Sequence, residues 1–333
     1  SVLEFEVAGI PHEIVIWPPD AERHDEHLVA DFRAIAESSL EIFGRLPYER
    51  YVFMLHVGAG GGGTEHVNST IMQTGAAALR GSRDRDAAYR RLLGLTAHEF
   101  FHVWNVKQFR PAGLKPYDYE RENYTDLLWV AEGTTSYYDE LLPVRAGIVD
   151  PEHLLEGLAR QVRSTRSRPG RHVQSLAESS FDAWVVFNRR TPDHVNCSIS
   201  FYTKGSSASF LLDLEIRRLT EGRASLDDVM RVLFERFPLE SRGFTTEDLQ
   251  AILAEVAGHD FDEFIARYVE GTDPLPLEDA VRTIGLELVI EPTRPDAPAT
   301  DDRDGDGIAD RPYLGLDLRD AGGRTIVRSV RSD

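Results

Sequence analysis

The segment His98-Glu99-Phe100-Phe101-His102 constrains what this chain can fold into more than any other feature. It lies in the run Tyr89 to Val106, which reads as a helix. Two histidines four residues apart sit one above the other on one helix face, so both imidazoles can reach a single metal ion. Glu99 projects to the edge of that face, where it can take a proton from water held at the metal. The plainer alternative is a chance H-x-x-x-H on an amphipathic helix, with both rings solvated or packed. A hydrolytic zinc site needs three protein ligands and an open position. The fold must therefore lay a second ligand-bearing element against this helix.

Glu132 is the best third ligand by position. It sits in Trp129-Val130-Ala131-Glu132-Gly133-Thr134-Thr135-Ser136-Tyr137-Tyr138, a stretch of helical periodicity that continues to Leu142. A polar, loop-like segment from Pro116 to Tyr124 precedes it, long enough to join two antiparallel helices. The neighbours Leu127, Leu128, Trp129 and Val130 place this turn in the interior, where an unpaired carboxylate is costly. A solvated helix carboxylate is the alternative. Asp126, Glu140 and His194 are further candidates that fit the geometry less well. Asn105 and Asp126 are candidates for orienting the histidine rings.

With these residues in view, the chain resembles the glycyl aminopeptidase family of thermolysin-like (gluzincin) zinc metallopeptidases. The resemblance rests on four motifs in family order: Gly60-Gly61-Gly62-Gly63-Thr64-Glu65-His66-Val67-Asn68-Ser69, His98 to Lys107, Trp129 to Gly133, and Tyr202-Thr203-Lys204-Gly205. It implies a substrate-binding strand at Gly61, Gly62 and Gly63, and a Glu65 that holds the substrate's free α-amino group. It also implies a Tyr202 that steadies the oxyanion, and zinc on His98, His102 and Glu132. The expected activity is release of small N-terminal residues, Gly or Ala, from peptides with a free N-terminus. A zinc endopeptidase using the same site is the first alternative, and a non-catalytic peptide-binding protein the second.

The residues carry a physical reading beside the resemblance. Four glycines after the strand-like Tyr51 to Val57 leave backbone N–H and C=O groups unshielded, so a peptide can pair there as an added strand. A flexible surface loop with a solvated Glu65 is the alternative. Tyr202 opens a helix-like stretch reaching Leu219. A phenol at a helix start can donate to a developing oxyanion, or it can simply pack on the core. No role is assigned to Lys204.

Lys plus Arg number 37 against 56 Asp plus Glu, a formal charge of -19. That disfavours nucleic acid and anionic membranes as partners. The lone Cys197 excludes an intrachain disulfide and a cysteine-based zinc site. No apolar stretch approaches the length of a membrane span. The chain opens at Ser1 without a Met or a signal segment and reads as an excised or processed fragment.

The expected fold class is α+β. Strands are expected at Leu3 to Val7, Glu13 to Trp17 and Tyr51 to Val57, and an amphipathic helix at His27 to Phe43. Residues 151 to 281 read as largely helical, with stops near Gly222, Gly243 and Gly258. The resemblance implies a thermolysin-like catalytic domain over 1–290, a β lobe and a mainly helical lobe with the zinc site in the cleft. There is no room for the N-terminal β domain found elsewhere in the family. A linker spans 291–312. Within it Asp302, Asp304, Asp306 and Asp310 form a short oxygen-ligand loop of the kind that holds Ca²⁺, where Tyr313 stands in place of an EF-hand's bidentate Glu. A solvated acidic linker is the alternative. The loop is similar to the short Asp-rich repeats of extracellular calcium proteins; the compartment stays open, with an extracytoplasmic location, periplasmic or secreted, favoured. Residues 313–333 resemble the opening hairpin of a PDZ domain, too short for a complete peptide groove.

Overall fold

The computed structural model describes residues 1–80, 87–189, 191–289, 316–320 and 325–330. Strands β1 (Val2–Val7) and β2 (Ile10–Trp17) form a hairpin, helix α1 (Asp25–Phe43) follows, and β3 (Tyr51–Val57) returns beside β2. β4 (Gly62–Glu65) and β5 (Ser69–Thr74) complete a five-stranded sheet of order β1-β2-β3-β5-β4. β2, β3 and β5 run parallel to one another, while β1 and β4 are antiparallel edges. The glycine segment is therefore an edge strand, with β5 on one side and an unpaired edge on the other.

Alternation along β3 explains how the sheet is held. Tyr51, Phe53, Leu55 and Val57 are buried, as expected for a strand with every second residue facing one layer of helices. Phe53 meets Phe32 of α1 edge-on with ring centroids 5.1 Å apart. Helix α2 (Ala76–Arg80) leads to α3 (Ala87–Phe101). Phe100 of α3 reaches Tyr51 and Phe53 at 5.0 and 5.5 Å. The face of α3 opposite its histidines is thus anchored in the β lobe by aromatic packing, which favours such offset and edge contacts.

The helical lobe begins after a loop. Residues Trp129–Thr134 form a π-helical turn that passes into α4 (Thr135–Arg145). Then come α5 (Pro151–Arg166), α6 (Leu176–Phe181), α7 (His194–Cys197), α8 (Thr203–Leu219), α9 (Leu226–Arg236) and α10 (Thr246–Ala257). Three of these starts carry reciprocal capping boxes, at Ser175, Ser225 and Thr245, which satisfy N-terminal N–H groups that would otherwise lack partners. α4 lies against α3, with Phe101 stacked on Tyr138 at 4.3 Å. The observed class is α+β. Strands β6 (Leu316–Asp320) and β7 (Thr325–Val330) pair antiparallel as a hairpin. The Asp302, Asp304, Asp306 and Asp310 segment lies outside the described residues.

The sequence expectation fails in one place that matters. The first metal-bearing helix was expected to run to Val106, but α3 ends at Phe101. The chain then folds through tight turns, with Val106 at φ 93° and its N–H donating to the Phe109 carbonyl at 3.0 Å. A β-branched residue at positive φ is strained, and the surrounding packing holds it. The buried Asn105 side chain provides much of that hold, donating to the Val130 and Ala131 carbonyls and to Thr135 Oγ1.

Candidate functional site

Three side chains from two elements converge. His98 is on the last turn of α3, His102 follows its end, and Glu132 lies on the π-helical turn. Glu132 Oε2 is 3.3 Å from His98 Nε2 and 3.3 Å from His102 Nε2. One donor atom from each residue lies within 4.8 Å of the others, and no other such cluster occurs among the described residues. The far side of each ring is held. His98 Nδ1 donates to Asp139 Oδ2 at 2.9 Å and His102 Nδ1 to the Asn105 carbonyl at 3.0 Å. Those bonds turn both Nε2 atoms toward Glu132, where their protons bridge to the carboxylate and where, with those protons lost, their lone pairs could meet a metal.

Two imidazole nitrogens and one carboxylate are a fitting donor set for zinc with an open position. Electrostatics agree with the geometry. Burial alone would raise the Glu132 pKa, but the two histidines outweigh it and hold the carboxyl far below the usual range. Burial would lower His98, yet Asp139 and Glu132 drive it well above its ordinary value. The cluster is a set of opposed charges, ready to exchange protons for a cation.

Glu99 is 4% exposed, and its Oε2 has no hydrogen-bond partner. Burial raises its pKa above the normal carboxylate range, with the neighbouring histidines acting against that shift. The glycine strand passes directly over it. A Cβ added to Gly63 would lie 2.5 Å from Glu99 Cδ. Gly62 has φ 96°, a conformation that favours glycine, and Gly61 is exposed just before the strand. Glu65, at the strand's end, is ion-paired with Lys107 at 3.1 Å. Burial would raise Glu65, but His102 and Lys107 bring it below its usual range.

Tyr202 caps the start of α8, its ring 6.2 Å from that of His98. Burial, then the carboxylates of Glu132, Glu65 and Glu99, push its pKa well above 10, so the phenol keeps its proton. Backbone contact fixes this placement. A Cβ on Gly133 would meet Gly205 Cα at 2.6 Å, and one on Gly205 would meet Gly133 Cα at 2.9 Å. Two glycines let α8 approach the turn that carries Glu132.

Residues 91–207 match the family model for M61 glycyl aminopeptidase, a span that contains both histidines, Glu132 and Tyr202. Among solved structures, the whole chain is similar to an aminopeptidase N family protein from Idiomarina loihiensis. The TM-score is 0.89 at 29% identity, covering 100% of this chain and 57% of that one. An M1 zinc metallopeptidase from Deinococcus radiodurans shares the fold, with TM-score 0.51 at 18% identity over 83% of this chain and 52% of that one. The chain thus spans little more than half the length of either protein. No curated protein matches it.

Several sequence candidates lie outside the cluster. Asp126, weighed both as a ligand and as a ring-orienting group, instead accepts from Thr246 Oγ1 at 3.1 Å. Glu140 faces α5, beside Arg160 at 3.2 Å and His153 at 3.6 Å. His194 is buried on α7, outside the cluster. Sequence reasoning missed Asp139 and Lys107. Asp139 lies seven residues after Glu132, the spacing that returns to one helix face, so a signal was present. Lys107 had none, because it reaches Glu65 only through the turn after His102.

Proposed function

We propose that the chain is a zinc-dependent aminopeptidase that hydrolyses N-terminal peptide bonds after small residues, Gly or Ala. The observation that carries this reading is the path of β4. Its free edge runs over Glu99 at Gly63 and ends at Glu65, so an added peptide strand there has its reacting bond and its amino end near two different carboxylates. Zinc, when held by His98, His102 and Glu132, would polarise the scissile carbonyl and acidify water.

The protein's own groups perform the rest. Gly61, Gly62 and Gly63 offer backbone groups to the substrate main chain. Glu99, with no partner of its own and a raised pKa, accepts the proton of the attacking water and delivers it to the leaving amine. Tyr202 donates its hydroxyl hydrogen to the oxyanion that develops in the tetrahedral state. Glu65 pairs with the substrate α-ammonium and sets the cleavage point one residue in.

One observation favours a second reading. Glu65 already holds Lys107, and a carboxylate neutralised in this way need not select an amine, which describes an endopeptidase. Zinc-loaded protein assayed on matched free and N-acetylated Ala peptides separates the two. The aminopeptidase reading expects the acetylated peptides to resist cleavage. It also expects Glu65→Ala to lose a few kcal/mol, roughly hundredfold or more, in kcat/KM on the free ones. Equal rates on both peptides, with Glu65→Ala silent, would make the protein an endopeptidase.

A further inference from the structure

Lys204 takes no part in the hydrolytic site, yet the fold maintains it at a cost. It is the second residue of α8, is 3% exposed, and its Nζ has no hydrogen-bond partner. Taking an ammonium out of water without compensation is expensive, and an apolar side chain of similar volume would fill the same space without that cost. Burial lowers its pKa to about 8, so it keeps its charge at neutral pH.

Lys204 lines a cavity of about 290 Å³, near the lower end of small-molecule pockets. The other charged groups on its walls divide into two kinds. Arg166 is paired with Glu278 at 2.6 Å, and Asp273 with Arg267 at 2.8 Å. Arg171 donates to the backbone carbonyls of residues 166 and 168 and has no carboxylate partner among the described residues. Asp273 acts on Lys204 through space but does not bond it, so Lys204 and Arg171 bring to one cavity two positive charges with no carboxylate bonded to either among the described residues. Much of the remaining wall is apolar, from Val162, Pro274, Leu275 and Leu277. None of His98, Glu99, His102 or Glu132 lines it.

We propose that this cavity is a binding site for a small monocarboxylate with a short apolar tail. The carboxylate lies on Lys204 and Arg171, and the tail lies against Val162, Leu275 and Leu277. A free short-chain acid and the C-terminal residue of a peptide share this chemistry, and both satisfy the ammonium that the fold leaves unpaired.

Calorimetric titration with hexanoate, N-acetylleucine and hexan-1-ol tests the proposal, run on the whole chain in zinc-loaded and chelator-treated forms. At least one of the two carboxylates is expected to bind both forms at one site per chain, with hexan-1-ol at least about tenfold weaker. Hexanoate alone would identify a free acid, and tighter N-acetylleucine a peptide terminus. Lys204→Met should weaken binding at least about tenfold and Arg171→Gln several-fold. Without ligand, Lys204→Met should melt higher than the parent, since it removes a buried charge that lacks a hydrogen-bond partner. Binding confined to the zinc-loaded form, equal affinity for hexan-1-ol, or unchanged affinity in either variant would overturn the site. So would a lower melting temperature for Lys204→Met, which would mean the ammonium is already compensated within the fold.

Discussion

Gly63 and Glu99 approach so closely that the strand has no room for a side chain: a Cβ on Gly63 would sit 2.5 Å from Glu99 Cδ and 2.6 Å from Oε1. The glycine strand and the proposed general base are therefore one device. Gly63→Ala must move either the carboxylate or the edge strand. A displacement of about 1 Å at a reacting group can cost on the order of a hundredfold in rate. The expected result is a loss of that order in kcat with zinc content unchanged. Near-native kcat would show that the contact does not matter to the chemistry.

Lys107 occupies Glu65, the carboxylate that the proposed function assigns to the substrate ammonium. Lys107→Met should lower KM for free peptides while changing kcat little, because it removes a cation that must be displaced before binding. Steady-state kinetics on one free peptide suffice. A raised KM would mean that Lys107 holds Glu65 in its working position instead.

Asp139 fixes the His98 ring from the side away from Glu132. Losing a partner of this kind typically weakens a metal site about 10–100-fold. Competition with a chelator should show that weakening in Asp139→Asn, with the secondary structure intact. Unchanged zinc affinity would remove Asp139 from the account.

His12 gives a pH signature of stability apart from the candidate metal site. It is buried on β2, stacked on Phe5 at 5.0 Å, with Nε2 2.9 Å from the Tyr48 hydroxyl. Burial lowers its pKa below 6.5. The unfolded chain then takes up a proton near 6.5 that the folded chain resists. Stability from this group is complete above that value and declines as pH falls toward the folded pKa. Melting temperature should therefore drop between about pH 7 and pH 5 by less in His12→Phe than in the parent. An equal drop in both proteins would contradict it.

Much of the candidate site's geometry was legible in the sequence because the residues it brings together obey local spacing. A histidine pair at i and i+4, an apolar turn around Glu132 and a run of glycines can each be read without tertiary information. What escaped reading depends on contacts between distant segments. Nothing local ends α3 at Phe101, where neither Gly nor Pro occurs. Asn105 bonding to residues 130, 131 and 135 supports the turn that follows. The π-helical turn carrying Glu132 likewise coincides with the Gly133–Gly205 approach across two helices. β5 and α2 were missed because their short segments lack a long enough pattern.

The central claim is that His98, His102 and Glu132 hold one zinc ion while Glu99 moves the proton. Turnover of Glu99→Gln, measured at matched zinc occupancy, tests it most directly. The substitution keeps the size of the side chain and removes its basicity. The account predicts one zinc per chain, as in the parent, with nearly all peptide hydrolysis lost. A variant that retains zinc and hydrolyses peptides at near-parent rates would contradict it.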